Sequence, residues 1–195
     1  MISPFEIAGI FAAYVLGSVP TGLWLGLRLR GIDIREHGSK NIGATNTMRV
    51  LGKTLGAVAL ACDIVKGLVP VLVAQRYGGW EYLPIVCGLA AILGHTFPIF
   101  LKFKGGKGVA TSAGVFAGLA PLPMLVGVVV FGVTLAASRM VSLGSMLAAA
   151  AMAVAVFVFP ATLAIRILTC VIAALVIYKH RTNIQRIMAG TESKI

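Results

Sequence analysis

At 195 residues the chain is one domain by length, but 58% hydrophobic and 12% charged residues set it apart from a soluble globular protein. A mean hydropathy of +0.96 makes the bilayer the solvent to reason with. The net charge of +11, from 17 Lys+Arg against 6 Asp+Glu, then belongs to cytoplasmic loops facing anionic headgroups rather than to nucleic-acid binding.

A membrane-spanning helix takes about 20 mostly apolar residues. The first expected span is Pro4 to Leu27, opened by Ser3-Pro4-Phe5-Glu6, with Ser as N-cap, Pro in the first turn and Glu three residues after the cap. It has no basic n-region, and its uncharged run is too long for a signal-peptide h-region, so it is expected to be retained. Gly17-Ser18-Val19-Pro20-Thr21-Gly22 within it reads as small residues for close helix packing, or as a polar lining through Ser18 and Thr21. The second span, Thr54 to Gln75, carries Asp63 and Lys66, three apart and so able to pair on one face. Charges inside a membrane segment are either functional or a structural pair. The third span runs from Tyr82 to Leu101.

The uncharged stretch from Gly108 to Ser138 is too long for one span, and Pro121 and Pro123 interrupt it. Two short helices are expected there, Gly108–Ala120 and Leu122–Ala137, followed by spans at Val141–Phe159 and Thr162–Tyr178. The fold class is therefore an all-α integral membrane protein of seven transmembrane helices, helices four and five being short. With the N-terminus outside and the C-terminus cytoplasmic, every basic residue except Lys66, Arg76 and Arg166 falls on the inner side, as the positive-inside rule requires. Residues 1–195 then form a single membrane-embedded domain.

Polar chemistry gathers on that inner side in three stretches. The first loop, Gly31 to Lys53, sets Ser39, Asn41, Thr45, Asn46 and Arg49 among the glycines Gly38 and Gly43. Such groups donate to anionic oxygens, although the same residues also build ordinary turns. The second stretch, GHTFPIFLKFKGGKGVAT from Gly94 to Thr111, puts Lys102, Lys104 and Lys107 around Gly105, Gly106 and Gly108 just before a helix start. Glycines allow close backbone approach and a helix N-terminus favours an anion, so a phosphate is a natural guest; lysines placed for membrane orientation are the plain alternative. The third is the tail, where His180, Asn183, Ile184, Ile187 and Met188 fit an amphipathic helix, with His180 and Asn183 able to face one site. His95 precedes the Phe97-Pro98 break and serves packing or chemistry.

The six acids, Glu6, Asp33, Glu36, Asp63, Glu81 and Glu192, make no paired site for a divalent metal, and Cys62, Cys87 and Cys170 lie in apolar segments without metal spacing. Lys107 is followed by Gly108, not by Ser or Thr, so there is no Walker sequence. What remains is a phosphate site without metal or cofactor.

Together, GSKNIGATN (Gly38 to Asn46) with Arg49, the GHTFPIFLKFKGGKGVAT stretch, and HRTNIQRI (His180 to Ile187) with Gly190 and Glu192 resemble the bacterial acyl-phosphate:glycerol-3-phosphate acyltransferases, the PlsY family. DIVKG (Asp63 to Gly67) resembles the family's second helix, whereas Lys40 stands where many members have Gly. The resemblance implies acyl transfer from acyl phosphate to the 1-hydroxyl of sn-glycerol 3-phosphate at the cytoplasmic face of a bacterial inner membrane. The product is lysophosphatidic acid for phospholipid biosynthesis, and the enzyme that supplies acyl phosphate is an implied partner. On this reading Gly105, Gly106, Lys107, Gly108, Thr111 and Lys104 hold the acyl phosphate. Ser39, Asn41, Gly43, Thr45, Asn46 and Arg49 hold glycerol 3-phosphate or share the phosphates, and His180 and Asn183 orient the acceptor hydroxyl. His180, Asn183, Ser39 and Lys104 are the expected catalytic group. A small-anion transporter with a basic cytoplasmic cavity, or an acyltransferase using acyl-CoA or acyl carrier protein, is the alternative.

Overall fold

The computed structural model describes residues 2–195, and every regular element among them is helical. The ten α-helices are α1 (Pro4–Ser18), α2 (Thr21–Arg30), α3 (Ala44–Leu51), α4 (Lys53–Tyr77), α5 (Leu83–Thr96), α6 (Val109–Leu119), α7 (Pro121–Ser138), α8 (Val141–Val158), α9 (Leu163–Lys179) and α10 (Arg181–Met188). A single 3₁₀ turn, Ile99–Leu101, follows α5. Four segments are long and apolar enough to cross a membrane (Lys53–Tyr77, Leu83–Leu101, Pro121–Ser138 and Val141–Val158), and two bent pairs, α1–α2 and α9–α10, bring the number to as many as six.

The expected first span is broken. Pro20 has no N–H to continue the helix and its ring disfavours the helical region for the residue before it, so Val19 is extended and α2 leaves at 47° to α1. Trp24 N–H donating to the Pro20 carbonyl at 3.0 Å restarts the ladder. At the other end of α1 the Ser3–Glu6 capping box is present, and the Glu6 carboxylate also accepts from the Gly79 and Trp80 amides at 3.0 and 2.8 Å, tying α1 to the α4–α5 turn.

Two further elements differ from expectation. The first polar loop contains a helix, α3, which the turn-forming residues around it concealed. The fifth helix has 18 residues rather than a short run, because Pro121 and Pro123 sit in its first turn, where a missing N–H costs nothing. The fourth, α6, is short at 11 residues; at about 1.5 Å per residue it falls well below the hydrocarbon thickness of a bilayer.

The chain forms two compact units, one up to Gly118 and one from Leu119 to Ile195. In the first, α1 lies along α5, and α4 packs on both α3 and α5. Small residues set these contacts: a Cβ on Gly17 would overlap the Ala91 backbone, and one on Gly94 would overlap the Tyr14 carbonyl. Ser18 donates to the Tyr14 carbonyl at 2.8 Å and its oxygen accepts from Ile99 N–H, so the small-residue run at the end of α1 serves packing. In the second unit α8 lies between α7 and α9, and α10 turns off α9 by 54° at His180.

Candidate active site

The first loop is organised around one side chain. Asn46, only 1% exposed, accepts from Ser39 N–H at 2.8 Å through Oδ1, while Nδ2 faces the carbonyls of Ile34, Asn41 and His37 at 2.8, 2.9 and 3.2 Å. Expected among the phosphate ligands, Asn46 has its amide committed to the loop backbone, and it thereby fixes Ser39 and Asn41. The Asn41 side chain accepts from Gly43 N–H at 2.9 Å, an Asx turn that opens α3. Ser39, Asn41 and Thr45 are half-buried and Arg49 is exposed on α3. Gly38 and Lys40 both take left-handed backbone, φ +58° each, which a Gly accepts freely and a Lys rarely does. An Arg35–Asp33 ion pair closes the preceding turn, and the guanidinium's hydrogen bond holds the Asp33 carboxyl below the usual range.

The lysine–glycine stretch folds back on the end of α5. Gly106 N–H donates to the His95 carbonyl at 3.1 Å. A Cβ on Gly105 would overlap that carbonyl, and one on Gly106 would overlap the His95 imidazole, so neither position admits a side chain. Lys102 and Phe103 are consecutive left-handed residues, an uncommon arrangement held by Phe103 N–H to the Pro98 carbonyl at 3.0 Å. Tyr14 O–H donates to the Phe97 carbonyl at 2.8 Å and anchors the turn to α1. Gly108 at φ +81° then aims the chain into α6, with Ser112 N–H on its carbonyl at 2.7 Å.

Beside Gly108 lie two hydroxyls that the sequence did not single out. A methyl on Gly108 would stand 3.3 Å from Thr96 Oγ1 and 3.8 Å from Ser112 Oγ. Both hydroxyls are buried without a hydrogen-bond partner, as is Thr111 Oγ1. Buried hydroxyls are nearly always partnered, so this concentration at one helix start suits a polar guest. Lys104 is exposed and Lys107 half-buried at the rim.

In the second unit, His180 ends α9 and Asn183 lies in the first turn of α10, both buried. His180 Nδ1 is 2.8 Å from the Val176 carbonyl. A carbonyl only accepts, so Nδ1 carries the hydrogen and the basic lone pair of the neutral ring is on Nε2. Asn183 Nδ2 donates to Glu192 at 2.6 Å, and the same carboxylate accepts from Ser142 O–H and Arg186 Nε, each at 2.7 Å. Burial opposes ionisation of Glu192, but these hydrogen bonds and the Arg186 charge outweigh it and hold the carboxyl below its ordinary value. Glu192 therefore pins the tail to α8 and orients Asn183. No group of three or more His, Cys, Asp or Glu stands together among the described residues.

Comparison with known proteins gives matches that span most of the chain. The glycerol-3-phosphate acyltransferase family model matches residues 7–190. A glycerol-3-phosphate acyltransferase of Trichlorobacter lovleyi is 53% identical over 190 residues, covering 97% of this chain and 96% of the relative, and one from Geobacter sulfurreducens is 51% identical with 93% of each covered. Among solved structures, the crystal structure of PlsY, an integral membrane glycerol 3-phosphate acyltransferase, in its glycerol 3-phosphate form superposes with a TM-score of 0.92 at 38% identity, covering 98% of this chain and 96% of that one. Its lysophosphatidic acid form gives 0.88. With the family model matching residues 7–190 and relatives about half identical over nearly the whole chain, the chain belongs to the glycerol-3-phosphate acyltransferase family.

Proposed function

We propose that this protein transfers a fatty acyl group from acyl phosphate to the 1-hydroxyl of sn-glycerol 3-phosphate, releasing lysophosphatidic acid and inorganic phosphate. The observation that carries the phosphate chemistry is the Gly105–Gly108 turn: two positions closed to any side chain, a left-handed Gly108, and the unpartnered hydroxyls of Thr96 and Ser112 at the start of α6. Such a turn suits an anionic oxygen, with Lys104 and Lys107 supplying countercharge. The bound forms named for the related PlsY structures, glycerol 3-phosphate and lysophosphatidic acid, support this acceptor and this product.

Acyl phosphate is already activated, so the protein's task is placement and charge stabilisation. The acceptor oxygen attacks the acyl carbonyl carbon, and a tetrahedral oxyanion forms. The carbon–oxygen bond to phosphate then breaks with the electron pair leaving on phosphate. The hydroxyl proton passes to His180 Nε2 or to a phosphate oxygen of the substrate itself. Ser39, Asn41, Gly43, Thr45 and Arg49 contact the acceptor's phosphate or share the donor's. Asn46 acts by shaping that loop, and Asn183 by orienting the hydroxyl. We infer a single domain of seven spans, N-terminus outside, with the acyl chain entering from the inner leaflet of the bacterial plasma membrane and the acceptor from the cytoplasm. An enzyme that supplies acyl phosphate is the expected partner.

The deciding experiment gives purified protein glycerol 3-phosphate with acyl phosphate, acyl-CoA or acyl carrier protein in turn. Lysophosphatidic acid from acyl phosphate alone supports the proposal. Product from either thioester instead, or glycerol 3-phosphate flux across liposomes without acyl transfer, overturns it.

A further inference from the structure

Beneath the glycine turn lies a charged cluster that acyl transfer, as written above, does not use. Asp63 and Lys66 on α4 and His95 on α5 are 3%, 4% and 4% exposed. Lys66 Nζ is 2.7 Å from Asp63 Oδ1 and donates to the Val19 carbonyl, at the α1–α2 break, at 2.8 Å. His95 Nδ1 stands 3.7 Å from the same carboxylate oxygen. The far side of the imidazole is the surface on which Gly106 rests, and the His95 carbonyl takes the Gly106 N–H. One residue past Lys66, Gly67 abuts the Thr111 carbonyl, and Gly114 abuts the Ile64 carbonyl, so α4 and α6 touch backbone to backbone on either side of the cluster.

Burying an ion pair is costly in desolvation, and an apolar pair of similar volume is often as stable or more so. In some proteins buried charges of this kind serve to fix geometry rather than to add stability. We propose that Asp63, Lys66 and His95 are positioning residues for the phosphate on the glycine turn. Lys66 ties Asp63 to the α1–α2 break, Asp63 sets its carboxylate beside the Nδ1 edge of the imidazole at 3.7 Å, too long for a hydrogen bond, and the imidazole sets the height of Gly106 and hence the direction of the turn's N–H groups. The cluster touches no substrate and acts through the turn. This rests on the reading of that turn as a phosphate site.

The test compares purified His95→Gln, Asp63→Leu/Lys66→Met and Gly106→Ala proteins, with Lys107→Met as the probe of the site itself. KM for each phosphorylated substrate, kcat and thermal unfolding in detergent are measured for all. The expected result is a rise of about 10- to 100-fold in KM for one substrate, the same one, in the first three variants, the size that a misplacement near 1 Å produces. In the His95→Gln/Gly106→Ala double variant the effects fail to add, because both changes act on one contact. A purely structural cluster lowers the unfolding temperature and leaves both KM values in place. That outcome, or loss of folding in both His95→Gln and Asp63→Leu/Lys66→Met, overturns the proposal. Should Lys107→Met leave both KM values unchanged, the reading of the turn as a phosphate site has failed instead.

Discussion

His180 and Glu192 are the two residues whose environments make the sharpest claims. The Val176 carbonyl fixes the hydrogen on His180 Nδ1 and so aims the basic lone pair through Nε2. If that nitrogen takes the acceptor's proton, His180→Ala lowers kcat by about 10²–10⁴-fold. Near-normal turnover would assign the proton to the substrate's phosphate. Glu192 collects Ser142, Asn183 and Arg186 on one buried carboxylate. Hydrogen bonds to a charged group are worth about 1.5–3 kcal/mol each, so Glu192→Gln lowers the unfolding temperature and releases Asn183. The sign with pH follows from its depressed pKa. A carboxyl held below its ordinary 4.5 stabilises the folded chain fully above that value and loses the contribution as pH falls through the lower folded value. The gap in unfolding temperature between wild type and Glu192→Gln is therefore expected to be full at pH 6–7 and to close as pH drops below about 4.5.

At the level of elements, glycines decide how closely helices meet. Gly67 on α4 and Gly114 on α6 each face a carbonyl of the other helix, with no room for a methyl group. Gly67→Ala or Gly114→Ala forces the helices apart and is expected to cost about 1–3 kcal/mol, visible as a lower unfolding temperature in detergent. Gly132→Ala, where nothing lies within 4 Å, is the matched control and should leave stability unchanged or slightly raised. Some prolines mark helix boundaries, although α4 runs on through Pro70. Pro20 splits the first apolar stretch, whereas Pro121 merely opens α7, because a proline is costly inside a helix and cost-free in its first turn. Asn46 shows a comparable change of meaning: in sequence it is one more polar loop residue, in three dimensions it is the post around which the loop is wound.

For the molecule as a whole, the acid inventory bears on how the enzyme can work. Of the acids near the polar loops, Asp33 is spent on Arg35, Asp63 on Lys66 and Glu192 on Arg186, which leaves the exposed Glu36 as a single carboxylate rather than a cluster. Acyl transfer is accordingly expected to continue undiminished in EDTA; a loss restored by Mg²⁺ would refute the metal-independent scheme. Composition and periodicity alone determined the membrane setting, the helical class and the chain positions of the polar stretches, because apolar length and the distribution of charge are properties of linear order. Family membership was legible for a related reason: GATN, GGKG and HRTN are contiguous runs whose spacing survives without a fold. Only the tertiary structure decided that α3 exists, that His95 lies under Gly106, that Asp63 stands beside the imidazole, and that Thr96 and Ser112 flank Gly108. Apart from α3 itself and the Ser112–Gly108 neighbours, those relations depend on separate elements approaching closely enough for single atoms to meet, a distance that no local pattern encodes.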